Sequence, residues 1–260
     1  MGEELTTGWE AEVGAEDSLL RGFVLSTADR SAVLADAGGG EVRRTDRAVF
    51  ADGRSPVLFD NAVTLLHPMT ASEAREVVAE ALEFFPAERP FVVLSVWPIP
   101  EAGDLGIQLM GHPPFMFRPV GPPPDGWAAG VELREVTDAE GLATFFRTIT
   151  EAYPMPADDS ALAHVGVLGH GIRLWVGYED GRPVGTAGTY VAHGSNDVEW
   201  VSVHAADRGK GYGAALTWAA TLADPTLPAV LIASDDGQPV YQRMGYVRLT
   251  RLNLWFRPPG

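Results

Sequence analysis

The chain has 260 residues, 46% of them apolar, which is ample for a packed core, and its length favours two lobes or one large fold over a single small domain. Its 35 acidic and 19 basic residues leave a formal charge of -16, and such a surface repels nucleic acid and anionic membrane. Cysteine is absent, which excludes disulfides, thiolate catalysis and cysteine-ligated metals.

The N-terminus, Met1-Gly2-Glu3-Glu4-Leu5, is acidic where a signal peptide is basic. No apolar run approaches the roughly 18 residues of a membrane span. A cytoplasmic protein without membrane or nucleic-acid partners is expected. Residues 1–55 fit neither a helical nor a strand pattern well. Thr70 to Phe85 reads as an amphipathic helix and Phe91 to Val96 as an apolar strand. The run Pro119 to Gly130, with Gly121-Pro122-Pro123-Pro124-Asp125-Gly126 inside it, cannot continue a helix or a central strand. It divides the chain into an N-terminal lobe, 1–120, a linker, 121–130, and a C-terminal domain, 131–260.

After the linker, Val131 to Val136 reads as a strand. Thr137-Asp138-Ala139-Glu140 has capping-box spacing and opens a helix from about Asp138 to Ala152. A second short helix is expected from Asp158 to Leu168. Ile172 to Tyr178 and Pro183 to Ala192 form a hairpin, because Asp180-Gly181 supplies the positive φ angles of a tight turn. Val198 to His204 is a strand that places Glu199, Val201 and Val203 on one face by simple alternation. A helix from Gly211 to Ala223, an apolar strand from Ala229 to Ala233, a short helix opened by Pro239 and closed by Gly245, and a last strand or pair complete the order.

Arg208-Gly209-Lys210-Gly211-Tyr212-Gly213 lies between a strand and a helix, so its main-chain amides can converge on an anion at the helix N-terminus. Lys210 is the single lysine of the chain. The segment is no P-loop, since Gly-Lys-Ser/Thr is missing. A dinucleotide fingerprint can be laid on Gly209, Gly211 and Ala214, but no acidic residue stands about 20 positions on. A glycine-rich turn without a ligand is the bland alternative.

The stretch from Val203 to Gly213 resembles the acetyl-CoA signature of the GNAT acetyltransferases, Arg/Gln-x-x-Gly-x-Gly/Ala after a strand. Pro239-Val240-Tyr241-Gln242-Arg243-Met244-Gly245-Tyr246 resembles the short helix and Tyr-x-x-x-Gly-Phe/Tyr ending of the same family. The family often carries Asn early in this helix, where Asp235, Asp236 and Gln238 stand here.

The resemblance implies an α/β fold with a mixed, mostly antiparallel central sheet flanked by helices. It implies acetyl-CoA as co-substrate, with cofactor contacts at Arg208, Gly209, Lys210, Gly211, Tyr212, Gly213 and Ala214 and from the main chain of Val201 and Val203. Lys210 adds point charge in that reading. Tyr241 is placed as general acid. Glu199 is the preferred base, Asp197 the reserve, and a bridging water a third route. The acceptor is the primary amine of a small molecule or peptide, and the protein is a monomer or homodimer. A noncatalytic acyl-CoA-binding regulatory or scaffolding module of the same fold is the alternative. The six histidines make no helical ligand pair, so no metal site is expected.

Leu105 to His112, laid on Pro239 to Tyr246, matches at Gln, Met and Gly. The N-terminal lobe is thus expected to be a GNAT-like copy. Having Ile107 in place of Tyr241 and no glycine cradle, it is noncatalytic and walls the amine pocket.

Overall fold

The computed structural model describes residues 9, 18–99, 102–128, 130–153 and 160–258. It begins with helix α1 (Leu19–Ala37), then strands β1 (Glu41–Arg44), β2 (Ala48–Asp52) and β3 (Asn61–Leu65), helix α2 (Ala71–Phe84), and strands β4 (Phe91–Ser95), β5 (Gln108–Gly111) and β6 (Pro114–Arg118). Beyond the linker come β7 (Glu132–Glu135), α3 (Ala139–Ala152), β8 (Ile172–Glu179), β9 (Arg182–Ala192), β10 (Ser195–Val203), α4 (Tyr212–Thr221), β11 (Ala229–Ile232), α5 (Gln238–Arg243), β12 (Val247–Arg251) and β13 (Asn253–Arg257). Among the described residues no helix is long and apolar enough to cross a membrane.

Two sheets result, in the orders β1-β2-β3-β4-β13-β5 and β7-β8-β9-β10-β11-β6-β12. They repeat one plan. In each, a three-strand meander leads through a crossover helix, α2 or α4, to a parallel strand, β4 beside β3 or β11 beside β10. Each sheet then takes a strand from the other half: β13 sits between β4 and β5, and β6 between β11 and β12. The exchange joins the halves covalently twice, so neither sheet is complete without the other.

The repeat is therefore one of topology, and the alignment of Leu105–His112 on Pro239–Tyr246 does not survive it. Gln108 to Gly111 is strand β5, which corresponds in position to β12, whereas Gln242 lies in helix α5. A 3-10 turn at Ala102–Leu105 stands where the second half has α5.

Each crossover helix packs by its spacing. Ala74, Val77, Val78 and Ala81 of α2, at i, i+3, i+4 and i+7, lie buried with Phe50, Val63, Phe91 and Val93 of the first sheet. The interior between the halves holds Phe23 and Val24 of α1 with Leu94, Phe115, Val230 and Leu252, and burying each of these is worth about 1.5–3 kcal/mol. α1 is covered on several faces, which is why no amphipathic stripe marks it in the sequence.

Two local expectations shift. The cap of α3 is Asp138, whose carboxylate accepts from Gly141 N at 2.8 Å, not Thr137; the helix starts one residue later than the spacing suggests. The helix expected over Asp158–Leu168 is replaced by two 3-10 turns, Ala161–Ala163 and Val165–Val167, with residues 158 and 159 outside the described residues. Each turn ends on an extended residue, His164 and Leu168, and Gly166 packs against Ala37 of α1.

Gly185 of β9 shows how tightly the strands meet. A Cβ there would lie 2.3 Å from Ser202 O and 2.9 Å from Leu216 Cδ1. Gly185→Ala is expected to lower unfolding free energy by about 1–3 kcal/mol, read from the midpoint of a urea transition. An unchanged midpoint contradicts this packing.

Candidate active site

β10 carries the site because it leaves one neighbour while keeping the other. Its pairing with β11 covers only Asn196, Asp197 and Val198, against Ala229, Val230 and Leu231. Its pairing with β9 continues to Val203, with a register shift between Glu199 and Ser202. Trp200, at φ +53°, makes that bulge, and Gly188 opposite leaves room for its ring. Two consequences follow. Val203 falls on the face of Val198, not on that of Glu199 as simple alternation suggests. His204 N donates to Val184 O, so by alternation the amide of Val203 points the other way, into the gap that β11 vacates.

The chain then turns through Ala205–Asp207 into the glycine run. Gly209 and Gly211 sit at φ +80° and +89°, where a side chain is strained, and no heavy atom lies within 4 Å of the Cβ either would carry. Gly211 is the N-cap of α4 and offers no side chain to it, so the first-turn amides of this helix lack an internal acceptor. The matching helix of the first half is closed instead: Thr70 Oγ1 accepts from Glu73 N, and Glu73 accepts from Thr70 N at 2.7 Å. An open amide cluster beside a split sheet suits a diphosphate followed by an extended arm.

The side chains around the cradle divide. Lys210 Nζ lies 2.9 Å from Asp207 Oδ1 and 3.0 Å from Glu179 Oε2. Arg182 pairs with both carboxylates, and the Tyr212 hydroxyl donates to Glu179. The hydrogen bonds from Arg182 and Lys210 hold the Asp207 carboxyl well below the ordinary carboxylate range. Lys210 therefore has its charge met beneath the turn, where it fixes the loop. Arg208 donates to Val203 O at 3.3 Å and has no ion pair among the described residues, which leaves its charge available.

A cleft of about 440 Å³ opens between the halves beside β10, lined by Glu199, Val201 and Ser202, by Ser234 and Tyr241 after β11, and by residues of α1, β3, β4 and α3. Arg30 of α1 reaches into it. Its guanidinium lies 2.7 Å from Glu199 Oε1 and also bonds Asp197 Oδ2, which Ser26 Oγ approaches at 3.2 Å. Asp197 is fully buried behind this arginine and does not line the cleft, whereas Glu199 does. Burial pushes the Glu199 carboxyl up to about 7, with Arg30 pulling it down and Asp197 pushing it further up. Tyr241 is pushed up to about 12 by burial and by the Glu199 charge, so its hydroxyl is protonated at neutral pH. Sequence reasoning missed Arg30 and Ser26; both lie in α1, which carries no readable periodicity.

Residues 170–248 match the family model described as the acetyltransferase (GNAT) domain. Among curated proteins, none matches the sequence significantly. Solved structures resemble the fold along most of the chain. A GCN5-related N-acetyltransferase from Kribbella flavida is 20% identical with a TM-score of 0.64, covering 92% of this chain and 96% of its own. A GCN5-related N-acetyltransferase from Sphaerobacter thermophilus is 17% identical with a TM-score of 0.59, over 91% and 92%. A tandem GNAT protein from the clavulanic acid biosynthesis pathway is 15% identical with a TM-score of 0.50, over 92% and 95%. Residues 170–248 thus carry the match to the GNAT domain, and the two-sheet architecture around them is a GNAT fold.

Proposed function

We propose that this protein moves an acetyl group from acetyl-CoA directly to a primary amine of a small molecule or peptide. The observation that carries the reading is that β10, which parts from β11 after Val198 and lines the cleft with Glu199 across from Tyr241, runs on directly into the uncapped start of α4.

When bound, acetyl-CoA supplies an activated acyl carbon and a thiolate leaving group. The amides from Gly209 to Ala214 hold its diphosphate, with Arg208 adding charge at the surface. The amides of Val201 and Val203 hydrogen-bond the arm and polarise the thioester carbonyl. Glu199 takes a proton from the substrate ammonium, so that the attacking nitrogen is neutral. Tyr241 gives its proton to the departing sulfur as the C–S bond breaks and regains one from the attacking nitrogen as it becomes the amide. Its acidity is tied to that of Glu199: once Glu199 is protonated its charge vanishes, and one of the two causes that hold the Tyr241 proton disappears. Asp197, sealed behind Arg30, positions Glu199 through the shared guanidinium and does not touch substrate.

Free-thiol release from acetyl-CoA over an amine library tests the transfer. Acetylated product is expected, and Tyr241→Phe is expected to lower kcat by about 10²–10⁴ with acetyl-CoA affinity unchanged. Full turnover in that variant removes Tyr241 as acid; acetyl-CoA binding without release on any amine removes the transfer.

A further inference from the structure

The geometry points to the acceptor as a primary monoamine on an apolar, ring-sized body, without carboxylate or phosphate, bound between the two halves. This inference rests on the transfer reading and adds the substrate class to it.

The ionisable groups of the cleft carry it. Among the described residues its lining contains one cation, Arg30, and two carboxylates, Glu199 and Asp60. Arg30 is already shared between Glu199 and the buried Asp197, two anions on one guanidinium. A substrate carboxylate or phosphate would enter beside these anions with no uncommitted cation to meet it, and an unpaired buried charge is strongly disfavoured. An ammonium finds the opposite situation, since Glu199 faces the cleft with an anion only partly compensated.

Asp60 is occupied. Its Oδ2 accepts from Ala161 N at 2.7 Å, and it is buried, with the Ser55 and Ser160 hydroxyls favouring its charged form. Its role there is to tie the 3-10 turn Leu58–Asp60 to the turn at Ala161, and this leaves little for the second ammonium of a diamine. The remaining wall at this end is apolar: Leu34 from α1, Val57 and Phe59 from the first half, and Ile149, Tyr153 and Leu162 from the second. Phe59 and Tyr153 are 55% and 64% exposed, two rings left bare where they line the cleft. A flat apolar group laid against this wall gains contact that a hydrated, multiply charged chain does not.

Matched probes test this class. Phenethylamine and phenylalanine differ by a carboxylate alone, and pentylamine and putrescine differ only by a terminal methyl in place of the second ammonium. With acetyl-CoA saturating, kcat/KM from thiol release is expected to favour phenethylamine over phenylalanine, and pentylamine over putrescine, by about 100-fold each. Phe59→Ala, at an exposed side chain that the fold does not require, is expected to raise KM for phenethylamine about fivefold while leaving kcat and acetyl-CoA affinity as they are. Calorimetric titration of each amine into the CoA-saturated protein reads the same preference without turnover. Phenylalanine or putrescine matching its partner in both assays overturns the class and leaves the transfer standing. Selective binding of the monoamines with no thiol release overturns the transfer and leaves the class standing. Equal binding of all four, or no binding of any at millimolar concentration, overturns the class.

Discussion

Glu199→Gln is expected to lower kcat by about 10²–10⁴, the usual worth of a positioned general base, while leaving the affinity for acetyl-CoA unchanged. Glutamine keeps the shape and a hydrogen-bond acceptor for Arg30, so the local fold is kept. The pH profile gives the sign. Burial holds the Glu199 carboxyl near 7, and only its ionised form can take the ammonium proton. Activity should therefore be low on the acid side and rise with pH through about 7. The groups that face this carboxyl are Arg30 from α1, Asp197 from its own strand and Tyr241 from α5; Arg30 and Tyr241 hold their protons well above neutrality, and Asp197, which burial also raises, is sealed from the cleft behind Arg30. The limb near 7 should accordingly vanish in Glu199→Gln. A variant that keeps both its rate and the limb assigns the base elsewhere.

Gly211→Val is expected to separate cofactor binding from folding. At φ +89° any side chain strains the backbone by about 1–2 kcal/mol, yet no protein atom lies within 4 Å of the new Cβ. The thermal midpoint should then fall by only about 2–8 °C. The added methyls, however, stand beside the amides that open α4, in the space a diphosphate must enter. Acetyl-CoA affinity should fall at least about tenfold, equivalent to about 1.4 kcal/mol. The same substitution at Thr70, the N-cap of α2, has no such consequence for acetyl-CoA, because Glu73 already fills that helix start.

The legible parts of this molecule were those with local signals. Asp180-Gly181 turns β8 into β9 with φ of +50° and +78°, and the glycine run after β10 leads into the open start of a helix as its composition suggests. Tyr241 and Glu199 meet at the cleft because both lie in motifs tied to the β10 and β11 strands. The rest depends on partners distant in sequence. Arg30 and Asp197 are 167 positions apart, and nothing in α1 marks it as the helix that reaches β10, since it is covered on several faces. The bulge at Trp200 has no glycine to announce it, and without it the faces of β10 are assigned wrongly after Glu199. Strand exchange was invisible because Asn253–Arg257 reads only as part of a last strand or pair and Pro114–Arg118 carries no strand reading at all; only their pairing shows that each sits in the other half. Removing residues 1–120 would thus take β6 out of the second sheet, so point substitutions at Arg30 or Phe59 are the cleaner probes of what the first half contributes.

The central claim is that main-chain amides after β10 grip the diphosphate of acetyl-CoA. Isothermal titration of the purified protein with acetyl-CoA measures it directly. One molecule bound per chain, with affinity lost in Gly211→Val while the fold persists, is the result this structure requires. No heat of binding in the wild type, or equal affinity in the variant, contradicts it.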